Sequence, residues 1–194
     1  MTTWSDTLTD RTDEELLRLH VEGDSHAFNE LFRRHRHRLW SVALRTLRDP
    51  EDAADALQDA MISAFRRAGS FRGQSAITTW LHRIVVNASL DKIRRNQVRR
   101  TDRLPENIDR DLHLASDQNL DEIVVNAELR GDIGEALASI NPDQRAALVL
   151  VDMEGYPIEE AARMLGCAAG TIKSRCSRGR ARLATLLAHT REHP

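Results

Sequence analysis

Thiols, aromatic rings and long apolar runs are all scarce in this chain. Only two of its 194 residues are cysteine, Cys167 and Cys176. Two thiols make no disulfide framework, and their spacing is not the CxxC of a redox or zinc site, so both are expected to be structural. Aromatic residues make up 4 %, which leaves the core to aliphatic side chains. No apolar run approaches the roughly 18 residues that could span a bilayer. The segment from Met1 to Asp6 has no basic stretch followed by an apolar one. Neither a membrane span nor a signal peptide is expected, and the chain is read as cytoplasmic. The HExxH, P-loop and GxSxG motifs are missing as well. His35 and His37 stand two apart among arginines, on different faces of a helix, and are expected at the surface rather than on a metal. No catalytic residue, metal, cofactor or small-molecule substrate is expected, and the chain is not read as an enzyme.

What is present suits a soluble helical protein. Apolar residues account for 41 % and charged residues for 30 %, the balance of a globular domain. Leu and Ala, both good helix formers, dominate the apolar set. The net charge of −2 conceals segregation along the chain. Residues 1–25 carry −5, residues 26–100 carry +8, residues 101–132 carry −6 and residues 133–194 carry +1. A basic block followed by an acidic stretch implies a polyanion partner for the first and a different role for the second.

Local signals divide the chain into helices. Thr12 and Glu15 have capping-box spacing and open a helix to Gly23, with Leu16, Leu17 and Leu19 as apolar contacts. Gly23-Asp24-Ser25 ends it and starts a second, to about Leu47. Asp49-Pro50-Glu51-Asp52 combines a capping Asp, Pro at the first helical position and acids at the positive end of the dipole. That helix runs to about Ala68. A loop with two glycines, Gly69 to Ser75, precedes a fourth helix from about Ala76 to Gln97. Periodicity then disappears from Arg100 to about Asn119, which reads as a linker. Helices resume near Leu120. Asn141-Pro142 is another cap-plus-Pro start, Gly155-Tyr156-Pro157 a break, and two helical stretches follow at about Ile158–Leu165 and Gly170–Ala188. No strand-like alternation persists. The expected fold is all-α: an N-terminal helical extension (1–24), a helical domain (25–98), a flexible acidic linker (99–120) and a second helical domain (121–190).

Residues 158–178 have the form of a helix-turn-helix. Small Ala161 and Ala162 stand where the second helix approaches, and Gly166 permits the sharp turn. At about 100° per residue, Ile172, Cys176, Gly179, Leu183 and Leu186 fall on one side and are expected inward. Lys173, Ser174, Ser177 and Arg178 fall on another, free to enter a groove, with Arg175 and Arg182 flanking. Lys and Arg neutralise phosphates, and Arg, Lys and Ser reach base edges. The alternative is an ordinary helical hairpin with a solvated basic face.

In the basic domain, Ala53, Leu57, Ala60, Met61 and Ala64 form an apolar stripe on Asp49–Ala68. Asp52, Asp55, Gln58 and Asp59 lie opposite, as either a solvated face or a docking surface for a basic protein. The next helix has a core stripe of Ile77, Leu81, Ile84, Val85 and Ala88. Arg83, Asn87 and Arg94 share a neighbouring face, with Trp80 at its edge and Lys92, Arg95, Arg99 and Arg100 nearby. The loop Ser70-Phe71-Arg72-Gly73-Gln74-Ser75, close to aromatic and cationic groups, could hold an unstacked base. Phe71 and Trp80 could equally be core aromatics.

Three blocks together carry a resemblance. They are Asp55-Ala56-Leu57-Gln58-Asp59 with Ala64-Phe65-Arg66-Arg67; Ser70-Phe71-Arg72-Gly73-Gln74-Ser75-Ala76 running into Thr79-Trp80-Leu81-His82-Arg83-Ile84-Val85-Val86-Asn87; and Gly166, Gly170-Thr171-Ile172-Lys173-Ser174-Arg175 and Arg178-Gly179-Arg180. Their order and spacing resemble the extracytoplasmic-function (group IV) sigma factors of the sigma-70 family, nearest the actinobacterial sigma-M-like group. The resemblance covers about residues 25–97 and 121–188. It implies an alternative sigma factor that binds core RNA polymerase, through its β and β′ subunits, and directs promoter-specific transcription. The first block then docks on a β′ coiled coil through Asp52, Asp55, Gln58 and Asp59. The second contacts melted −10 DNA through Phe71, Arg72, Gly73, Trp80, Arg83, Asn87 and Arg94. Asp91 falls where the family often has a base-reading residue, and its negative charge sets it apart. The third reads the duplex −35 element through Thr171, Lys173, Ser174, Arg175, Ser177 and Arg178. A role in stress response and a membrane-anchored anti-sigma factor are implied as well. A conventional helix-turn-helix regulator would instead be a dimer reading two half-sites, and no effector or dimer segment is evident.

Overall fold

A computed structural model describes residues 8–101, 134 and 136–190. The expected linker from residue 102 onward and the helix resuming near Leu120 lie outside the described residues. Helix α1 spans Asp13–Val21, α2 Ser25–Leu47, α3 Pro50–Arg67 and α4 Ile77–Thr101, with a short 3-10 turn at Ala68–Ser70. In the C-terminal part, α5 is Pro142–Leu148, α6 Ile158–Leu165 and α7 Ala169–Thr190. A wide π-type turn, Val149–Met153, follows α5. Among the described residues there is no strand, and no helix is long and apolar enough to cross a membrane.

The helix starts follow from local chemistry. Thr12 Oγ1 accepts from the Glu15 amide at 3.2 Å while Glu15 Oε2 accepts from the Thr12 amide at 2.9 Å, a closed capping box. Asp24 accepts from the His26 amide and Asp49 from the Asp52 amide, at 2.9 and 2.8 Å. Asn141 accepts from the Asp143 amide at 3.0 Å, with Pro142 following. Helix α2 stops because Arg48 turns left-handed, at φ 70°. Helix α4 runs four residues past the expected Gln97.

The N-terminal domain packs α2, α3 and α4 around Leu31, Leu39, Val42, Ile77, Leu81 and Val85, each at most 2 % exposed. Helix α3 presents a ladder of alanines to its neighbours. Ala53, Ala56, Ala60 and Ala64 are all fully buried, so the helix backbones can approach closely. The stripe is therefore rotated from the expected one: Ala56 takes the deep line, and the larger Leu57 and Met61 are half-buried beside it. Helix α1 is strapped to α2 by Asp13, which accepts from Arg34 at 3.1 Å and meets His35 Nε2 at 2.6 Å. His35 is thus a half-buried bracing residue rather than a surface one.

In the C-terminal domain, Leu148 (1 % exposed) packs against Gly179. A Cβ at Gly179 would lie 2.7 Å from Leu148 Cδ1, so glycine is what lets α7 lie against α5. Ile172 and Cys176 are buried as their helical positions require, and burial pushes the Cys176 thiol up. Leu183 and Leu186 are half-buried. Gly166, at φ 63°, ends α6 and makes the turn to α7.

The two domains lie against each other, not apart on a tether. Glu154, just past the wide turn, has a side chain 4 % exposed. It accepts from Arg38 Nε at 2.9 Å and Arg45 Nη1 at 3.1 Å, both on α2. The Tyr156 hydroxyl meets His82 Nδ1 at 2.8 Å. Asn87 Nδ2 donates to the Met164 carbonyl at 3.0 Å. Helix α4 also buries His82, Val86, Ser89 and Leu90 beyond its expected stripe, and His82 does so against Tyr156.

His82 carries a pH dependence. Burial lowers it from 6.5 to about 4; the Glu154 charge opposes that shift, and the Arg38 and His35 charges add to it. The folded protein therefore holds a neutral imidazole, while the unfolded chain takes up a proton below pH 6.5. Stability from this group is complete at neutral pH and is lost as pH falls from 6.5 to about 4. The loss is about 3 kcal/mol, from 1.36 kcal/mol per pKa unit. Urea titrations across this range should show it, and a His82→Phe variant, which cannot titrate there, should lose correspondingly less.

Candidate nucleic-acid interface

Phe71, Arg72, Trp80, Arg83 and Asn87 come together around one cleft of about 610 Å³. The 3-10 turn and the loop after it carry Phe71 and Arg72 over the first two turns of α4. Phe71 and Trp80 are half-buried with ring centroids 5.4 Å apart and planes tilted by 55°. Both rings pack against the core with part of their surface left exposed. Gly73 is at φ 67° with open space where a Cβ would stand, so its role is the shape of the loop; it does not line the cleft. Arg94 stands outside the cleft, ion-paired to Asp91 at 2.8 Å. Asp91 itself is on the cleft wall.

The cleft also has a wall from α3 that sequence reasoning missed: Asp59, Ser63 and Arg67. Their i, i+4, i+8 spacing was a usable signal, because it puts them on one helix face. Asp59 thus belongs to the cleft as well as to the acidic ridge. Cations, carboxylates and aromatic faces around one polar concavity can hold an unstacked base: the rings stack on it and the polar groups meet its edge.

The acidic ridge is on the surface but not unpaired. Asp55, Gln58 and Asp59 are exposed, and Asp52 is half-buried. Lys92 Nζ lies 2.7 Å from Asp55 Oδ2 and 3.4 Å from Asp52 Oδ1. Asn96 Nδ2 donates to Asp52 at 2.8 Å, and Arg95 reaches Asp59 at 3.2 Å. The Lys92 ammonium holds the Asp55 carboxyl below its usual range. Lys92 and Arg95, expected beside the base-reading face, turn instead onto α3. Ile62, 43 % exposed, continues the ridge seven residues after Asp55.

On α7, Lys173, Ser177 and Arg178 are exposed, and Thr171, Ser174 and Arg175 are half-buried. Ser174 donates its hydroxyl to the Thr171 carbonyl at 3.0 Å and accepts from Arg178 at 3.3 Å. Arg175 is tied inward: it pairs with Asp143 on α5 at 2.6 Å, and its other nitrogen reaches Cys167 Sγ at 3.7 Å. Arg180 forms a two-pronged pair with Asp152, at 3.0 and 2.6 Å, which fixes α7 on the wide turn. Among the described residues of α7, Lys173, Arg178 and Arg182 are exposed cations outside any ion pair, and Arg178 is steadied by Ser174.

Comparison with known proteins agrees with this geometry. Residues 31–99 match the Sigma-70 region 2 family and residues 130–183 match Sigma-70, region 4. The chain is 50 % identical over 180 residues to the ECF RNA polymerase sigma factor SigM of Mycobacterium tuberculosis, covering 93 % of this chain and 87 % of that protein. It is 34 % identical over 174 residues to the ECF RNA polymerase sigma-E factor of Escherichia coli, covering 87 % and 91 %. Among solved structures, it is similar to the sigma factor RpoE in complex with the anti-sigma factor NepR from Bartonella quintana. That match has a TM-score of 0.62 at 29 % identity and covers 83 % of this chain and 96 % of RpoE. With both regions matched and half of the 180 aligned residues identical to a curated relative, the chain belongs to the extracytoplasmic-function class of the sigma-70 family, alternative sigma factors that direct promoter-specific transcription initiation.

Proposed function

We propose that the chain binds core RNA polymerase through the ridge Asp52, Asp55, Gln58 and Asp59, and captures melted −10 DNA in the Phe71–Trp80–Arg83–Asn87 cleft. It reads the duplex −35 element with α7, chiefly through Lys173 and Arg178. The reading places these functions in residues 25–98 and 121–190. The observation that carries it is the cleft, which gathers aromatic faces and an amide from two elements into one concavity beside an acidic ridge. No covalent chemistry is involved. Binding to polymerase supplies the affinity that the near-neutral chain lacks, and base capture offsets part of the melting cost. The protein works in the cytoplasm, in a stress response. The RpoE relative bound to an anti-sigma factor supports a similar inhibitor here, which we take to be membrane-anchored.

Run-off transcription with purified core polymerase on a promoter library tests this. Asn87→Ala should change base preference at −10 and leave −35 preference intact. The loss at preferred promoters should be about 1–3 kcal/mol, the usual effect of removing a contact to an unpaired base. Asp52→Ala with Asp55→Ala, both outside the cleft, should weaken binding to core without altering preference. That effect should be modest, since exposed pairs contribute about 0.2–1 kcal/mol each. Unaltered transcription profiles and core affinity in both variants would remove the assignments.

A further inference from the structure

We propose that Arg38 and Arg45 form a phosphate-contact site for promoter DNA, and that Glu154 fills it in the free chain, closing the face that reads the −10 element. The inference rests on the reading of Asn87 as a base contact. Three features of the docked domains lead to it.

First, the charges are arranged as a borrowed pair. Glu154 is almost fully buried, whereas its partners Arg38 and Arg45 have side chains 56 % and 44 % exposed. The two arginines stand seven apart on α2, two helical turns on one face, and converge on a single anionic group from another domain. Guanidiniums suit carboxylate and phosphate oxygens alike, and the phosphodiester is the anion that promoter DNA offers in place of Glu154.

Second, the base-reading amide is already in use. Both Asn87 Nδ2 hydrogens are donated, one to the Arg83 carbonyl at 2.8 Å and one to the Met164 carbonyl at 3.0 Å. A base edge that needs this donor must displace the C-terminal domain. His82, between the two contacts, is held by the Tyr156 hydroxyl.

Third, the docked arrangement cannot sit on a promoter. Elements named −10 and −35 are about 25 base pairs apart, about 85 Å of duplex at 3.4 Å per pair. Here α6 touches α4 within hydrogen-bond distance. The domains therefore separate before both elements are gripped. Separation releases Arg38, Arg45 and Asn87 together, because all three are held by the C-terminal domain, and returns the Glu154 carboxylate to water. The carboxylate thus competes with a backbone phosphate for the same two cations.

The test uses the full chain, free and bound to core polymerase. The probe is a labelled single-stranded oligonucleotide carrying the −10 sequence selected in run-off transcription. Glu154→Gln should enlarge the free protein in small-angle scattering and tighten its oligonucleotide binding. If nine-tenths of the chain is closed, the gain is about tenfold. Polymerase-bound transcription should stay within about twofold of the unmodified protein, because that state is already open. Tyr156→Phe should shift both free-chain measurements in the same direction. Arg38→Ala with Arg45→Ala should also open the chain but bind no more tightly than the unmodified protein, with a salt slope lower than that of Glu154→Gln by about 1.4 for two lost contacts to single strands. Unchanged size and affinity in Glu154→Gln and in Tyr156→Phe would overturn the closed state. Equal affinity and salt slope in Glu154→Gln and the double arginine variant would overturn the phosphate site. Scattering does not depend on base reading, so failure of the Asn87 assignment would show separately, as unaltered −10 preference in Asn87→Ala holoenzyme.

Discussion

Replacing Lys173 and Arg178 together with alanine lowers transcription from −35-dependent promoters by at least about 30-fold, since each lost base-edge contact costs about 1–3 kcal/mol. Both side chains are exposed on α7, so the domain itself should be undisturbed, with its helical signal unchanged. Arg178 is oriented by Ser174, whose hydroxyl is fixed in turn on the Thr171 carbonyl. That chain of contacts holds the guanidinium in one orientation at little entropic cost. Arg175 and Arg180 cannot substitute, because Asp143 and Asp152 already hold them. Transcription from a −35 library separates two kinds of contact. Loss of discrimination at particular bases identifies base readers. Uniform weakening with a salt slope reduced by about 0.9 per residue would mark both as phosphate contacts. Undiminished transcription would sink the recognition-helix assignment.

Leu148→Ala has the second large effect, on stability. The side chain is buried between α5 and α7, against the Cα of Gly179. Removing it deletes buried apolar surface and leaves a void that neighbouring backbone cannot close, at about 2–5 kcal/mol. Whole domains are stable by only about 5–15 kcal/mol, so much of the C-terminal domain's margin goes. A urea titration should show an early transition that unfolds α5 to α7 before the alanine-laddered N-terminal domain. Binding to −35 duplex should be lost in that same transition. A midpoint within error of the unmodified protein would mean that α7 is held elsewhere.

Legibility in the sequence followed the range of each interaction. The capping box of Thr12 and Glu15 and the Asp49–Pro50 and Asn141–Pro142 starts involve residues at most three apart, and each stands where its residues predict. The inward set Ile172, Cys176 and Gly179 follows from helical period alone. Fold class and family were readable for the same reason, as local signals in a fixed order. Partnerships across tens of residues were not. Lys92 with Asp55, Arg95 with Asp59 and Arg175 with Asp143 span 37, 36 and 32 positions. Each seats a cation on a carboxylate that charge and spacing along one helix do not disclose. Ala56 lies deeper than Leu57 because α2 and α4 both press on that line, which one helix's periodicity cannot disclose. Burial of His82 depends on a tyrosine 74 positions away. The cleft was half legible: the loop and α4 supplied named residues, and the α3 wall was read only as a docking ridge.

The pairing of that ridge with α4 has a consequence for partner choice. Lys92 and Arg95 belong to the same chain, so they face Asp55 and Asp59 at an effective concentration of about millimolar or above. A cationic partner does not meet bare charge; it exchanges with ammonium and guanidinium groups already seated. Its net gain is the difference between two pairings, so a merely basic polypeptide wins almost nothing, and dilute salt helps it little. A helix whose cations match the Asp55–Gln58–Asp59 register and whose apolar side chain covers Ile62 gains both. A ridge already occupied in this way discriminates by contour as well as by charge.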